Sequence, residues 1–210
     1  AELGLPPDRR LLLFGGNGAR LGVHEPSLVA FLAKRLAEGV FGPQATLLVR
    51  SHPIDTQWEG RFAAFHDPPR VVVTPPDPGR LDVLASLLKH SAVVLATTGS
   101  ILLDAIALDV PALGLAFDGD LVVDYDRSVA RCYEIDHYAP VVASGAVRLA
   151  RSFEELEQTV LSYLQNPSLD AEGRARCRAE QLEPFDGRAA ERTVGLIRAE
   201  AQRAAGRADV

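Results

Sequence analysis

Five short apolar runs, each closed by turn residues, constrain this chain more than any other feature. They are Leu11-Leu12-Leu13-Phe14, Thr46-Leu47-Leu48-Val49, Val71-Val72-Val73, Ala92-Val93-Val94-Leu95-Ala96 and Pro111-Ala112-Leu113-Gly114-Leu115. The runs are continuous rather than alternating, the pattern of strands buried on both faces. After the first, Pro26 suits a first helical turn, Leu28, Phe31, Leu32 and Leu36 make one apolar face, and Gly39 can stop the helix. A short helix around residues 57–65, a stripe of Leu81, Leu84, Leu87 and Leu88, and a helix from about Ile101 to Leu108 separate the later runs. Strands alternating with helices imply right-handed parallel crossovers. The predicted fold is a single doubly wound, Rossmann-like α/β domain over residues 1–210, with a mostly parallel sheet. Ligands are then expected beyond the strand carboxyl ends.

Past Phe117 the pattern is less regular. Residues 118–140 read as a long loop with a helical turn, and residues 146–150 as a short edge strand. Ser152 with Glu155 three residues on is a capping box for a helix that Asn166-Pro167 ends. Two further helices, near residues 170–181 and 188–203, form a helical carboxyl-terminal extension.

Charge and composition narrow the partners. The chain has 210 residues, is 47% hydrophobic and carries a net charge of −6. Nucleic acid calls for a basic surface, so it is not the expected partner. No run reaches the roughly 18 apolar residues of a membrane span. The two cysteines, Cys132 and Cys177, lie outside any metal-ligand spacing and read as reduced thiols. These features together point to a cytoplasmic protein. The sequence contains no methionine, so Ala1 reads as a processed or cut end.

Four stretches at strand ends can carry chemistry. Gly15-Gly16-Asn17-Gly18 follows the first strand, where glycines let backbone N–H groups approach a phosphate. It is a poor dinucleotide fingerprint: Leu21 stands where the third glycine belongs, and Arg50 rather than an acid ends the second strand. A phosphate-loop Lys-Ser/Thr pair is also missing. A tight turn without a ligand is the competing reading. Arg50-Ser51-His52-Pro53 offers a guanidinium fork and a histidine, both able to donate to an anion. It can equally be a polar strand end with a packed histidine. Thr97-Thr98-Gly99-Ser100 sits where the fourth strand becomes a helix. Free N–H groups and the helix dipole favour an anion there, unless Thr98 or Ser100 simply caps the helix. Asp104 lies one turn along the same face and can accept from sugar hydroxyls. Phe117-Asp118-Gly119-Asp120 follows the fifth strand; Asp118, with His137 further on, is a candidate lip of the pocket. Acidic residues there more often form turns than hold Mg²⁺, so no metal is expected. No nucleophile–base pair, esterase elbow or zinc signature is visible, and the catalytic residues are left unassigned.

Taken in order, Arg50-x-His52-Pro53, Thr98-Gly99-Ser100, Asp104-Ala105 and Pro111 resemble the donor-binding, carboxyl-terminal domain of GT-B glycosyltransferases. The group that includes CDP-glycerol glycerophosphotransferase-like and surface-polysaccharide transferases looks most similar. Phe117-Asp118-Gly119, His137-Tyr138, Ser144-Gly145 and residues 186–192 extend the likeness, which runs from Leu11 to about Ile197. The resemblance implies a UDP- or CDP-linked donor with its diphosphate on the helix start near Ser100 and no other cofactor. His52 would contact phosphate, and Asp104, where the family often has Glu, would contact a ribose or sugar hydroxyl. Gly16, Asn17, Arg50, Thr98 and Gly99 would complete the site. It also implies an amino-terminal acceptor domain preceding Ala1, which could bring peripheral contact with the inner membrane. A nucleotide-sugar 2-epimerase, or a non-catalytic nucleotide-binding module, is the alternative, and the isolated chain is expected to be inactive.

Overall fold

Alternate residues of the apolar runs go to opposite faces of one sheet, and this two-sidedness organises the molecule. A computed structural model of the chain describes residues 5–6 and 8–208. Its strands are β1 (Arg10–Gly15), β2 (Ala45–Arg50), β3 (Val71–Thr74), β4 (Ser91–Ala96), β5 (Ala112–Leu115) and β6 (Val147–Ala150). They form a six-stranded sheet in the order β3-β2-β1-β4-β5-β6, and every neighbouring pair is parallel. Leu12, Phe14, Leu47, Val49, Val93 and Leu95 face one core, while Leu13, Leu48, Val94 and Ala96 face the other. The continuous apolar runs are thus explained by helices on both sides.

The first face is covered by α1 (Glu25–Ala37) through Leu28, Val29, Leu32 and Leu36, and by α6 (Phe153–Gln165) through Leu156, Val160, Tyr163 and Leu164. The short α2 (Trp58–Phe62) adds Phe62. The second face is covered by α3 (Leu81–His90) through Leu88 and by α4 (Ser100–Ala107) through Leu102, Ala105 and Ile106. Of the leucine stripe read for α3, Leu88 is buried, Leu84 and Leu87 pack at the margin, and Leu81 is exposed. The capping box at α6 forms in a shifted version. Ser152 Oγ accepts from the Glu155 N–H at 3.1 Å, but the Glu155 carboxylate accepts from Arg151 N–H at 2.7 Å, one residue further back.

The segment read as a long loop contains more order than expected. Single turns of tight helix span Tyr125–Arg127 and Val129–Tyr133, and α5 (Ala139–Ala143) follows. Asp118 organises this segment, accepting from Val129 N–H at 3.0 Å and from the Ser128 hydroxyl. The chain ends in α7 (Ala171–Cys177), one wider turn (Arg178–Leu182) and α8 (Ala189–Ala208).

The strand order reverses between β1 and β4. In doubly wound sheets the crevice at that reversal, beyond the strand carboxyl ends, is where ligands bind. Here it is bounded by the loops after β1 and β4, with those after β2 and β5 on either side.

Candidate functional site

A fully buried carboxylate lies at the base of that crevice. Glu25 is the first residue of α1 and has no solvent exposure. It is met by four donors. The Asn17 N–H lies 3.0 Å from both carboxylate oxygens, and Asn17 Nδ2 donates to Oε1 at 3.0 Å. Thr97 Oγ1 donates to Oε1 at 2.9 Å, and Arg61 Nη2 donates to Oε2 at 2.8 Å. Thr97 Oγ1 also accepts from Asn17 Nδ2 at 2.8 Å, so β1 and β4 are tied together through their loops. Burial pushes the Glu25 carboxyl up, and the bonds from Asn17 and Thr97 and the charge of Arg61 oppose that push. Four donors and no acceptor partner fit the ionised form.

Arg61, on α2, spends its four terminal N–H groups on this base. Nη1 donates to Asn17 O at 2.8 Å and to the Asp55 carboxylate; Nη2 donates to Gly22 O at 2.5 Å and to Glu25. Asp55 also accepts from Gln57 N–H at 2.9 Å. One guanidinium therefore joins the loops after β1 and β2. His24 is buried beside it. Desolvation lowers its pKa; Asp118, whose carboxylate is 3.9 Å from Nδ1, raises it and Arg61 lowers it. Among the described residues the Nε2 atom of His24 has no hydrogen-bond partner.

The β4–α4 junction is built differently. Its N-cap is Gly99, held at φ 110° and ψ 169°, a conformation that is essentially restricted to glycine. The reading in which Thr98 or Ser100 caps the helix is not what forms: the cap residue is Gly99, and among the described residues neither hydroxyl accepts from a first-turn N–H. Among the described residues no side chain accepts from the first-turn N–H groups of α4, of which Leu102 N–H reaches Gly99 O at 3.4 Å; Thr98 is half-buried and Ser100 is exposed. One turn on, Asp104 lies on the outer face, its carboxyl raised by partial desolvation.

The remaining sequence candidates divide. Gly16 and Asn17 reach the crevice, but the backbone N–H and both amide hydrogens of Asn17 are already donated to Glu25 and Thr97. Arg50 ends β2 with a half-buried side chain whose one hydrogen bond, among the described residues, is a 3.4 Å contact from Nη2 to Asp77 O. Desolvation lowers its pKa and Asp77 opposes this. His52 Nδ1 accepts from Ile54 N–H at 3.3 Å, which places the proton of the neutral ring on Nε2. Asp118 serves the post-β5 segment and faces His24. Gly119 lies so close to α1 that a Cβ would fall 2.0 Å from Ser27 Oγ. His137 is exposed before α5 with its ring edge-on to Tyr138, and no hydrogen bond ties it to the crevice loops among the described residues. Sequence reading missed Glu25, Arg61 and Asp55 as part of this edge. No local pattern ties these three to the glycine turn.

No protein-family model matches the chain, and no curated protein sequence does. Solved structures do match in fold. A Listeria monocytogenes protein assigned as a UDP-N-acetylglucosamine 2-epimerase superposes with a TM-score of 0.59 at 20% identity, over 96% of this chain and 47% of its own. S. aureus MnaA, solved with UDP, gives 0.58 at 20% identity, over 93% and 46%. WaaG, a glycosyltransferase involved in lipopolysaccharide biosynthesis, gives 0.53 at 20% identity, over 86% and 45%. The chain therefore spans slightly less than half the length of each. Among the described residues no helix is long and apolar enough to cross a membrane. The six-stranded parallel sheet with helices on both faces is the Rossmann-like fold that this chain shares with these GT-B-fold glycosyltransferases and UDP-GlcNAc 2-epimerases.

Proposed function

We propose that the chain is the nucleotide-donor-binding domain of a two-domain transferase, holding a UDP- or CDP-linked donor at the β4–α4 junction. The uncapped start of α4 carries this reading. Its N–H groups, the positive end of the helix dipole and the Ser100 hydroxyl converge where a diphosphate can lie. Arg50 and His52 Nε2 are donors beyond the carboxyl end of β2, which β1 separates from β4, and Asp104 is positioned along α4 to accept from a sugar or ribose hydroxyl. Fixed donors of this kind stabilise the negative charge that develops as a nucleoside diphosphate leaves, without a metal. A cytoplasmic role in surface-polysaccharide synthesis, with glycosyl or glycerophosphoryl transfer, fits the motifs from Arg50 to Pro111.

The rest of the reaction belongs to the acceptor domain. Exposed apolar side chains support its presence. Leu21, Val23, Ile54 and Val122 are exposed on the loops after β1, β2 and β5, and Val194, Leu196 and Ile197 are exposed on α8. Titration calorimetry with UDP, CDP and UMP tests the binding claim: diphosphates should bind and UMP far more weakly. Equal binding of UMP, or none of any nucleotide, contradicts it. A second reading, a nucleotide-sugar 2-epimerase, is favoured by the TM-score of 0.59 to the Listeria protein assigned as such an epimerase, against 0.53 to WaaG. A product assay on a full two-domain chain separates transfer from epimerisation, and nucleotide binding without turnover there leaves a non-catalytic module.

A further inference from the structure

The glycine turn after β1 surrounds an anion, but the anion is the protein's own. In nucleotide-binding sheets of this type the first βα turn uses its glycines and backbone N–H groups to hold a phosphate. Here the Asn17 N–H of that turn points at Glu25, while the Gly16 N–H bonds Arg50 O at 3.0 Å. The Asn17 N–H and Nδ2, the Thr97 hydroxyl and the Arg61 guanidinium all end on its two oxygens. The glycines fit this anion too. A Cβ on Gly22 would fall 2.3 Å from Glu25 Oε2, and one on Gly16 would fall 3.6 Å from it. The turn is closed around a carboxylate with no solvent exposure.

We propose that Glu25 is a built-in occupant of the anion cradle at the first βα turn, and that it acts as a positioning residue. Its carboxylate takes the place of a ligand phosphate and sets the register of the loops after β1 and β4 before any ligand arrives. The N–H and amide donors of Asn17 are thereby committed before any ligand arrives. The proposal goes beyond the proposed function and stands on the geometry of the turn alone, so its test needs no nucleotide.

Removing the side chain should leave an empty site for a small anion. Glu25→Ala is expected to melt at a lower temperature than the wild type. Sodium formate should restore most of that loss in a concentration-dependent way, as a ligand that binds only the folded state does. Chloride at equal ionic strength should not, and the wild type should not respond to formate beyond the chloride control. Glu25→Gln, which fills the space but turns a donor toward donors, should also melt low and stay insensitive to formate. If Glu25→Ala is not obtained folded, the wild type decides. The Asn17 amide proton, held on a buried carboxylate, should resonate far downfield and exchange slowly. A folded Glu25→Ala with an unchanged melting temperature or no specific response to formate overturns the proposal. A fast-exchanging Asn17 amide at an ordinary shift does so as well.

Discussion

Thr97 Oγ1 donates to Glu25 Oε1 at 2.9 Å, joining the ends of β4 and the start of α1 across 72 positions of sequence. The same hydroxyl accepts from Asn17 Nδ2. Replacing Thr97 with Val removes both bonds and leaves the buried Asn17 amide one acceptor short. An unsatisfied buried donor costs about 1–3 kcal/mol. Chemical denaturation should show a loss of that size for Thr97→Val and a much smaller one for Thr97→Ser, which keeps the hydroxyl.

Gly99 is a backbone requirement rather than a space requirement. The nearest atom to a Cβ there would be Asn17 Oδ1, at 3.9 Å. Its φ of 110° is the obstacle. Gly99→Ala should therefore destabilise the fold by about 1–3 kcal/mol, the cost of a strained residue, and should weaken nucleotide binding because the α4 start moves. Thermal melts and calorimetry on the same sample check both effects.

The pH dependence of stability should carry a mark of His24. Its pKa is lowered below 6.5 in the folded protein by desolvation. The unfolded chain thus binds a proton more readily than the folded one, so stability falls as pH drops through the ordinary value toward the folded one. His24→Gln removes this group. The melting temperatures of wild type and variant, followed from pH 8 to pH 5, should show the steeper fall in the wild type. A parallel pair of curves would dismiss the assignment.

At the proposed ligand site, Ser100→Ala and His52→Ala should each weaken binding of a nucleoside diphosphate by about 1–3 kcal/mol, the range for losing a hydrogen bond to a charged group. Neither should disturb folding much: Ser100 is exposed, and among the described residues the His52 side chain makes only the local bond from Ile54 N–H. Unchanged affinity in both variants would move the site elsewhere.

The frame of this molecule is legible in the sequence because it is local. Leu11 to Phe14, Thr46 to Val49 and Ala92 to Ala96 are strands in the structure with boundaries shifted by one residue at most stretches, since period and turn chemistry act over a few positions. The base of the crevice is not local. Asn17 meets Thr97 across 80 positions, and Arg61 meets Glu25 across 36 and Asn17 across 44. Nothing in the spacing of these residues announces the pairing. Glu25 by itself reads as an acid at a helix start, and Arg61 as one charge on a short helix. The phosphate role expected of Asn17 followed from its place in a glycine turn, but the sequence pattern does not reveal that its donors are already taken. The order after Asp118 was also hidden, because one side chain rather than a hydropathy period organises residues 128–129.

The central claim is that an anionic ligand lies on the start of α4 and not in the glycine turn after β1. Amide chemical shifts in a ¹H–¹⁵N correlation spectrum, recorded as UDP is added, address it directly. The account predicts that the amides of Gly99, Ser100 and Ile101 shift most and that the Asn17 amide, held by Glu25, shifts little. Perturbations centred on residues 15–18 with α4 unmoved would contradict it.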